Sequence, residues 1–542
     1  MPLLYNDSLD DQLAYDAARS FTGGQVSNVR SNLLAPDQYS EGVNVDIDRF
    51  GSIITRRGLK SDYGAVSSWS NTSTVWSSAS DNWGSVPSPR IDSVFYFDTP
   101  LLEQLVAVSD QSVSKNTGDN SWATVSGYTP ASGANVEGAQ LVDKLYLTDG
   151  SGNVHSYDGT SFTDQGTGTG NPPVCKYLVT HTNRLFAAGL TDTSQPSDAL
   201  YCSDLLDGTN WDNTNNQIRI GGDSGDPITG LAPWIGFNLV VFKERSIYNV
   251  IADPTASNAG AWAIETIDTR MGCISHRSIA QVGQDIFFLA PDGIRTVRSI
   301  LEGKAQAVSE PISVGIQDVI DDINWSAARD QACGISWRNL YILCVPTLSN
   351  TKNNLAIVYN TVAKAFVGTW TWDATQFAVS AFNGDLRLVQ AQESGKVGVY
   401  QDYVAPSSEG ADEYQDAGAD YESFVVTRGM SFGEQFNELL PNHVELELKP
   451  ATSESVNLRA ILDGQSESVV NQNVINTSTA GLSLPFALPA TLPKTMPAIN
   501  SYNLIQNGPC RDMQFKVITN SGKLAVRSIL ASAYVNTIKQ ES

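Results

Sequence analysis

The chain has 542 residues, 41% of them hydrophobic and 17% charged, and a net charge of −24. That length exceeds one ordinary core, so two or three domains are expected. The acidic balance argues against a groove that grips phosphates, while leaving room for a protein past which DNA slides.

The opening stretch, MPLLYNDSLDDQ, is acidic and has no apolar segment. It reads as neither signal peptide nor membrane span, so the chain is expected to be made and kept in a cytoplasm. Residues 1–65 precede any repeat. Within them Val43, Val45 and Ile47 alternate with Asn44 and Asp46, Phe50-Gly51-Ser52 makes a turn, and Ile53 and Ile54 begin a return strand. Arg56 and Arg57 close this segment and have two readings. They are surface charges whose pairing contributes little, or they bind a neighbouring subunit's carboxylates at a ring interface.

From residue 66 to 404 one pattern recurs seven times: a polar turn, an apolar strand, and a hairpin into a second strand. The apolar strands begin at Leu105, Leu145, Leu185, Leu239, Ile286, Leu340 and Leu386, at spacings of 40, 40, 54, 47, 54 and 46 residues. A four-stranded propeller blade takes roughly 40 to 50 residues. Trp83, Trp122, Phe162, Trp211 and Trp262 mark the outer turns with a matching period of 39, 40, 49 and 51 residues. A unit of this kind cannot bury its apolar face alone, and radial packing of blades solves that while leaving few open edges. The pattern predicts an all-β chain with a seven-bladed β-propeller, six blades being the alternative.

Residues 405–421 are rich in Pro, Gly, Ser and acids without an apolar period and read as an acidic linker or loop. Beyond them, strands at Ser423–Thr427, Val444–Leu448, Val456–Leu462, Met513–Ile518 and Lys523–Tyr534 lack the blade period. They predict an antiparallel β-sandwich or barrel over 422–542, a platform to which the N-terminal segment contributes. Four prolines between Leu482 and Met496 make that stretch an arm or contact loop.

Candidate chemistry is sparse. Cys175, Cys202, Cys273, Cys333, Cys344 and Cys510 form no CxxC or metal-ligating spacing and read as buried free thiols. His155, His181, His276 and His443 show no HExxH or HxH spacing and read as polar surface residues. Asp149–Asn153 opens like a calcium loop but lacks the closing acid, and GTGTG at Gly166–Gly170 opens no helix, so the first is a hairpin turn and the second a connector. No metal, cofactor or catalytic residue is expected. Ser203–Trp211, SDLLDGTNW, resembles the Asp-box turn of sialidase-like propellers, where that turn is structural.

Phe21–Lys60 carries a more specific resemblance. Asn44, Asp46 or Asp48, Gly51, Ile53, Arg56, Arg57 and Gly58 resemble the opening of the nozzle proteins of short-tailed bacteriophages, also called tail tubular or tail stabilisation proteins. Asn183–Gly189, Ala199–Asp204 and Trp211 are similar to that family's blade repeat, as is Met271–Arg295, and Phe424–Leu448 resembles its passage out of the propeller. The resemblance implies a virion component assembled in the host cytoplasm. Its copies would form a homohexameric ring below the portal and adaptor proteins, propellers outward, with the other domains making a tube for double-stranded DNA. Tail fibre or tip proteins would dock on it.

The expected function is therefore structural, not enzymatic: extending and closing the DNA conduit and retaining the genome until ejection. A glycan-binding or depolymerase propeller and a cellular interaction scaffold are the alternatives. Asp46, Asp48, Glu445 and Glu447 alternate with apolar residues and stand as conduit-lining candidates, because an acidic wall repels phosphates over a Debye length of about 8 Å. Arg56 and Arg57 stand as subunit-interface candidates.

Overall fold

A computed structural model describes residues 13–61, 63, 90–118, 121–212, 214–222, 225–253, 258–306, 310–401, 411–432, 438–449, 456–464, 467–474, 498–504 and 509–536. The opening residues 1–12, the Trp83 landmark and the proline-rich stretch 482–496 lie outside them.

Seven blades surround one axis. Blades 1 to 4 are four-stranded antiparallel meanders spanning Ser93–Thr124, Glu137–Asp164, Cys175–Arg219 and Ile228–Asp268. Blade 5, Ala280–Thr296, has three strands, and the helix Val297–Gln306 follows directly. Its Val297 and Ile300 pack into the core shared with blade 4, where an outer strand's side chains would go. Blade 6 runs from Cys333 to Trp370 in four strands. Blade 7 takes Ala374–Ser380, Arg387–Gln392 and Val397–Tyr400 from its own sequence, and its fourth strand, Leu59–Lys60, from the N-terminal segment. The innermost strand of blade 7 packs on that of blade 1, so the ring closes.

The recurrent apolar strands are the second strand of each blade, and in blades 1 to 6, with both faces covered by neighbouring blades, they contain continuous apolar runs; in blade 7 the strand Arg387–Gln392 buries Gln390 and Gln392 among its apolar residues. Leu340–Val345 is buried throughout. An apolar cluster fills each gap, for example Phe97, Val106, Leu147 and Tyr157 between blades 1 and 2, and Phe186, Leu200, Leu231 and Val241 between blades 3 and 4; the one between blades 6 and 7 is continuous with the platform core. Tight two-residue turns set the register. Thr182 and Asn183, both at positive φ (47° and 59°), join His181 to Arg184 in the left-handed geometry that hairpin twist favours.

The remaining strands form a sandwich in which both chain ends take part. One sheet runs in the order Ala498–Asn503, Glu438–Leu448, Ala525–Asn536, Ile53–Thr55, Val45–Ile47, and Leu13–Ala18 also pairs with Ala525–Asn536. In the other, Gln38–Val43 pairs with Ser423–Thr427, followed by Met513–Thr519, Val456–Leu462 and Ser468–Val474. Val45, Ile53, Leu446, Leu448, Val526, Leu458, Phe515 and Val517 share the core between them.

This second sheet continues into the propeller, because Val43 bridges Thr369 at the outer edge of blade 6. The approach is close enough to require glycine: a Cβ on Gly368, at φ +138°, would lie 2.3 Å from the Gly42 carbonyl oxygen. Of the stretch 405–421, expected as an acidic linker or loop, residues 411–421 are described and carry short strands. Gln415–Asp416 and Ala419–Asp420 form a hairpin that extends blade 7 beyond Leu59.

Candidate functional site: the arginine clasp, the propeller axis and the platform face

The chain returns from the platform to the propeller through Arg56, Arg57 and Gly58. Arg56 is fully buried, and its guanidinium donates four hydrogen bonds within its own chain. Nε donates to Asn44 Oδ1 at 2.9 Å, Nη1 to the Arg57 carbonyl at 3.0 Å and to Asp416 Oδ1 at 2.9 Å, and Nη2 to Asp416 Oδ2. The guanidinium lies 3.9 Å from the Tyr421 ring centroid and 5.4 Å from that of Trp372. Asn44, at φ 54°, is held by Thr371 and by the Glu422 carbonyl. Arg57 pairs with Glu413 and sits 4.9 Å from the Tyr414 ring centroid.

The structure places both interface candidates in pairs with acids of their own chain, Arg56 with 0% and Arg57 with 12% side-chain exposure. They act as an internal clasp that pins the strand Leu59–Lys60 into blade 7 and draws the acidic hairpin against it. Gly58 is part of the same fit, since a Cβ there would fall 2.0 Å from the Gln415 carbonyl oxygen.

Arg277 occupies the propeller axis. It leaves blade 5 just before its first strand and reaches across to blades 7, 1 and 2. Nη1 donates to the Asp92 carbonyl at 2.9 Å and the Thr375 carbonyl at 3.3 Å; Nη2 donates to Ser93 Oγ and the Val136 carbonyl, each at 2.7 Å; Nε pairs with Glu137. The side chain thus fastens four blades at once. Beside it lies a half-open cavity of about 300 Å³, lined by Glu137, His276, Ile279, Gln281, Gln376 and Phe377 among others. Its one carboxylate, Glu137, is already committed to Arg277.

His276 accepts a 3.4 Å hydrogen bond from the Leu231 N–H at Nδ1 and stacks near Tyr177, with ring centroids 4.7 Å apart. Burial holds its pKa down, partly offset by Glu137, so the ring is neutral at pH 7. His181 is buried, at 7% exposure, and His276 is half-buried. The surface reading therefore fails for His181, which ends the innermost strand of blade 3. Arg277 and its cavity were not legible as a site, although Arg277 falls within the Met271–Arg295 segment that resembles a family blade.

The four conduit candidates separate into two pairs. Asp46 points back into the chain: the Ile47 N–H donates to it at 2.7 Å, and burial, opposed by that bond and one from Asn360, lifts its pKa to about 6. Asp48 caps the Phe50-Gly51-Ser52 turn, accepting from the Phe50 and Ser52 N–H groups at 2.8 and 2.9 Å, and pairs with Lys449. Both of these candidates are thus engaged by groups of their own chain.

Glu445 and Glu447 do share one face of their strand, with Leu446 and Leu448 buried behind them. They lie with Arg19 and Arg527 in an open groove of about 370 Å³, where Arg527 Nη1 meets Glu447 at 3.0 Å. The face carries both signs of charge rather than a uniform acidic wall. The Asp-box-like turn is structural as well: Trp211 is 1% exposed and its indole N–H donates to the Gly208 carbonyl at 2.9 Å.

No cluster of three or more metal-ligating side chains occurs among the described residues, and no helix among them is long and apolar enough to cross a membrane. No family model and no curated protein matches the chain. Among solved structures it is similar to the WD40 β-propeller domain of Doa1, at 11% identity over 59% of this chain and 95% of that one, with a TM-score of 0.36. BamB from Moraxella catarrhalis is similar at 11% identity over 66% and 96%, with a TM-score of 0.34, and YCF48 bound to D1 peptide at 10% over 59% and 94%, with a TM-score of 0.35. By its own strand topology the chain is a seven-bladed β-propeller carrying a β-sandwich built from both chain ends, and these likenesses attach no activity to it.

Proposed function

We propose that the chain is a structural virion protein, the nozzle of a short phage tail, which extends and closes the DNA conduit below the portal and adaptor. The observation that carries this reading is the way the propeller is inserted into the platform. Strands within 38–55 and the described strands within 423–536 interleave in one sandwich, and the propeller emerges between them, fastened by the arginine clasp. This is the arrangement that a ring with an inner tube and outward propellers requires. A closed ring needs two different complementary faces on each subunit, and the sandwich offers open sheet surface, including the mixed-charge groove at Glu445, Glu447, Arg19 and Arg527.

The propeller itself is no conduit in this reading, since Arg277 spans its axis; DNA passes along the platform. The pairing of Glu137 with Arg277 also speaks against the depolymerase alternative, which needs two carboxylates converging on one pocket. The test is genetic. A phage whose copy of this gene is interrupted should fill heads with DNA and then lose it, and supplying the chain in trans should restore retention. Stable, infectious particles without the chain would overturn the proposal, as would capsule hydrolysis by the purified protein.

A further inference from the structure

Cys333 and Cys344 are eleven residues apart in sequence and directly opposite in space. They are Cα partners in the hairpin that opens blade 6, whose register runs without a shift to the Trp337–Leu340 pair beside the Arg338-Asn339 turn. A two-residue turn makes its flanking pair hydrogen-bonded, and alternation from there makes 333/344 hydrogen-bonded too. Such pairs have Cα atoms about 5.5 Å apart, inside the range of about 4.4 to 6.8 Å that a disulfide spans.

Both side chains enter the same core, shared by blades 6 and 7 and continuous with that of the platform. Cys333 Sγ donates to the Ala374 carbonyl at 3.3 Å. Burial, and then a hydrogen bond with Cys333, push the Cys344 thiol well above its ordinary pKa, so the two sulfurs are neighbours. The other four thiols have no such partner: Cys175 faces Leu190, Cys202 faces Phe186, Cys510 bridges Leu439, and Cys273 lies outside the strands. Cys333, itself 1% exposed, and Gly334 also line the axial cavity.

We propose that Cys333 and Cys344 are a latent cross-strand disulfide, reduced as the chain is made and closed by an oxidant, which then clamps the first hairpin of blade 6. That blade's sheet runs on into the platform, so the bridge would stiffen the joint between the two. On the nozzle reading, on which its use rests, the chain leaves a reducing cytoplasm for an oxidising exterior. The step balances with a diazene as oxidant. One thiolate adds to the N=N bond, the second displaces it at sulfur to form S–S, and the two thiol hydrogens end on the hydrazine product.

The experiment treats the folded, isolated chain with diamide, blocks residual thiols after denaturation, and maps the unreduced digest by mass spectrometry. The expected result is one linked peptide pair containing Cys333 and Cys344, lighter by two hydrogens, with the other four cysteines alkylated. Cys344→Ser should abolish the link, and circular dichroism should establish that this variant folds. Six alkylated thiols, or a bridge through any other pair, would overturn the proposal. Because no virion is involved, that failure would leave the nozzle reading intact, and failure of DNA retention would leave the bridge intact.

Discussion

Replacing Arg56 with Ala should open blade 7 locally, and the structure sets the size of the effect. Removing one partner of a buried ion pair costs about 3 to 5 kcal/mol. Asp416 keeps 25% side-chain exposure, so water can solvate it in part and the lower end, about 3 kcal/mol, applies. Loss of the contact with the Tyr421 ring adds roughly 1 kcal/mol. A total of about 4 kcal/mol corresponds to roughly a thousandfold increase in the open population, at about 1.4 kcal/mol per factor of ten. The amides that report it are Leu59 N–H on Asp416 Oδ1, Ala417 N–H on the Leu59 carbonyl and Gln401 N–H on the Gly58 carbonyl. Hydrogen exchange should accelerate by two to three orders of magnitude at these amides, estimated as above, while blades 2 to 4 keep their protection. Arg56→Lys should fall between, since an ammonium keeps the charge but loses the fork. Exchange in the alanine variant within about threefold of wild type would refute the clasp.

Three further outcomes follow from the same geometry. Asp46 has its folded pKa raised from 3.8 to about 6, so the folded state binds its proton more tightly. Its contribution is complete below about pH 4, declines as pH rises to about 6, and is gone above. Asp46→Asn should therefore melt higher than wild type at pH 8, by up to about 3 kcal/mol, and show no gain at pH 4; an Asn variant less stable at pH 8 contradicts this. Gly58→Ala must displace the Gln415 carbonyl, so urea titration should show a loss of roughly 2 kcal/mol or more and faster exchange at Ala417. Arg277→Met leaves Glu137 and several carbonyls at the axis without their donor and should cost about 3 to 5 kcal/mol in the same titration; a neutral effect would mean that the propeller closes without this pin.

The propeller was legible because the second strand of blades 1 to 6 is covered on both faces, which forces an apolar run that recurs at blade spacing. The fourth strand of blade 7 was not, because Leu59–Lys60 is two residues long and its partner, Val399–Tyr400, lies over 300 positions away. The same distance hid the fate of Arg56. In sequence it ends a short strand beside another arginine, and its acid lies in a stretch whose composition reads as solvated linker. Acids that neutralise a buried guanidinium and acids on a surface have the same composition. Glu445 and Glu447 were placed on one exposed face by strand alternation alone, whereas Asp46 and Asp48 obeyed the same alternation and are covered by the propeller and by their own turn. Alternation identifies a face, and the neighbouring elements decide whether that face meets solvent.

The most direct measurement of the central claim is an electron-microscopy reconstruction of the tail of particles encoding this chain. The expected reconstruction has a closed ring of copies below the adaptor, the platform sandwich toward the central channel, the propellers outward with their axes blocked by Arg277, and Glu445 and Glu447 at the channel wall or at the contact between neighbouring copies. A tail that lacks the chain, or a ring in which DNA threads the propeller axis, would contradict it.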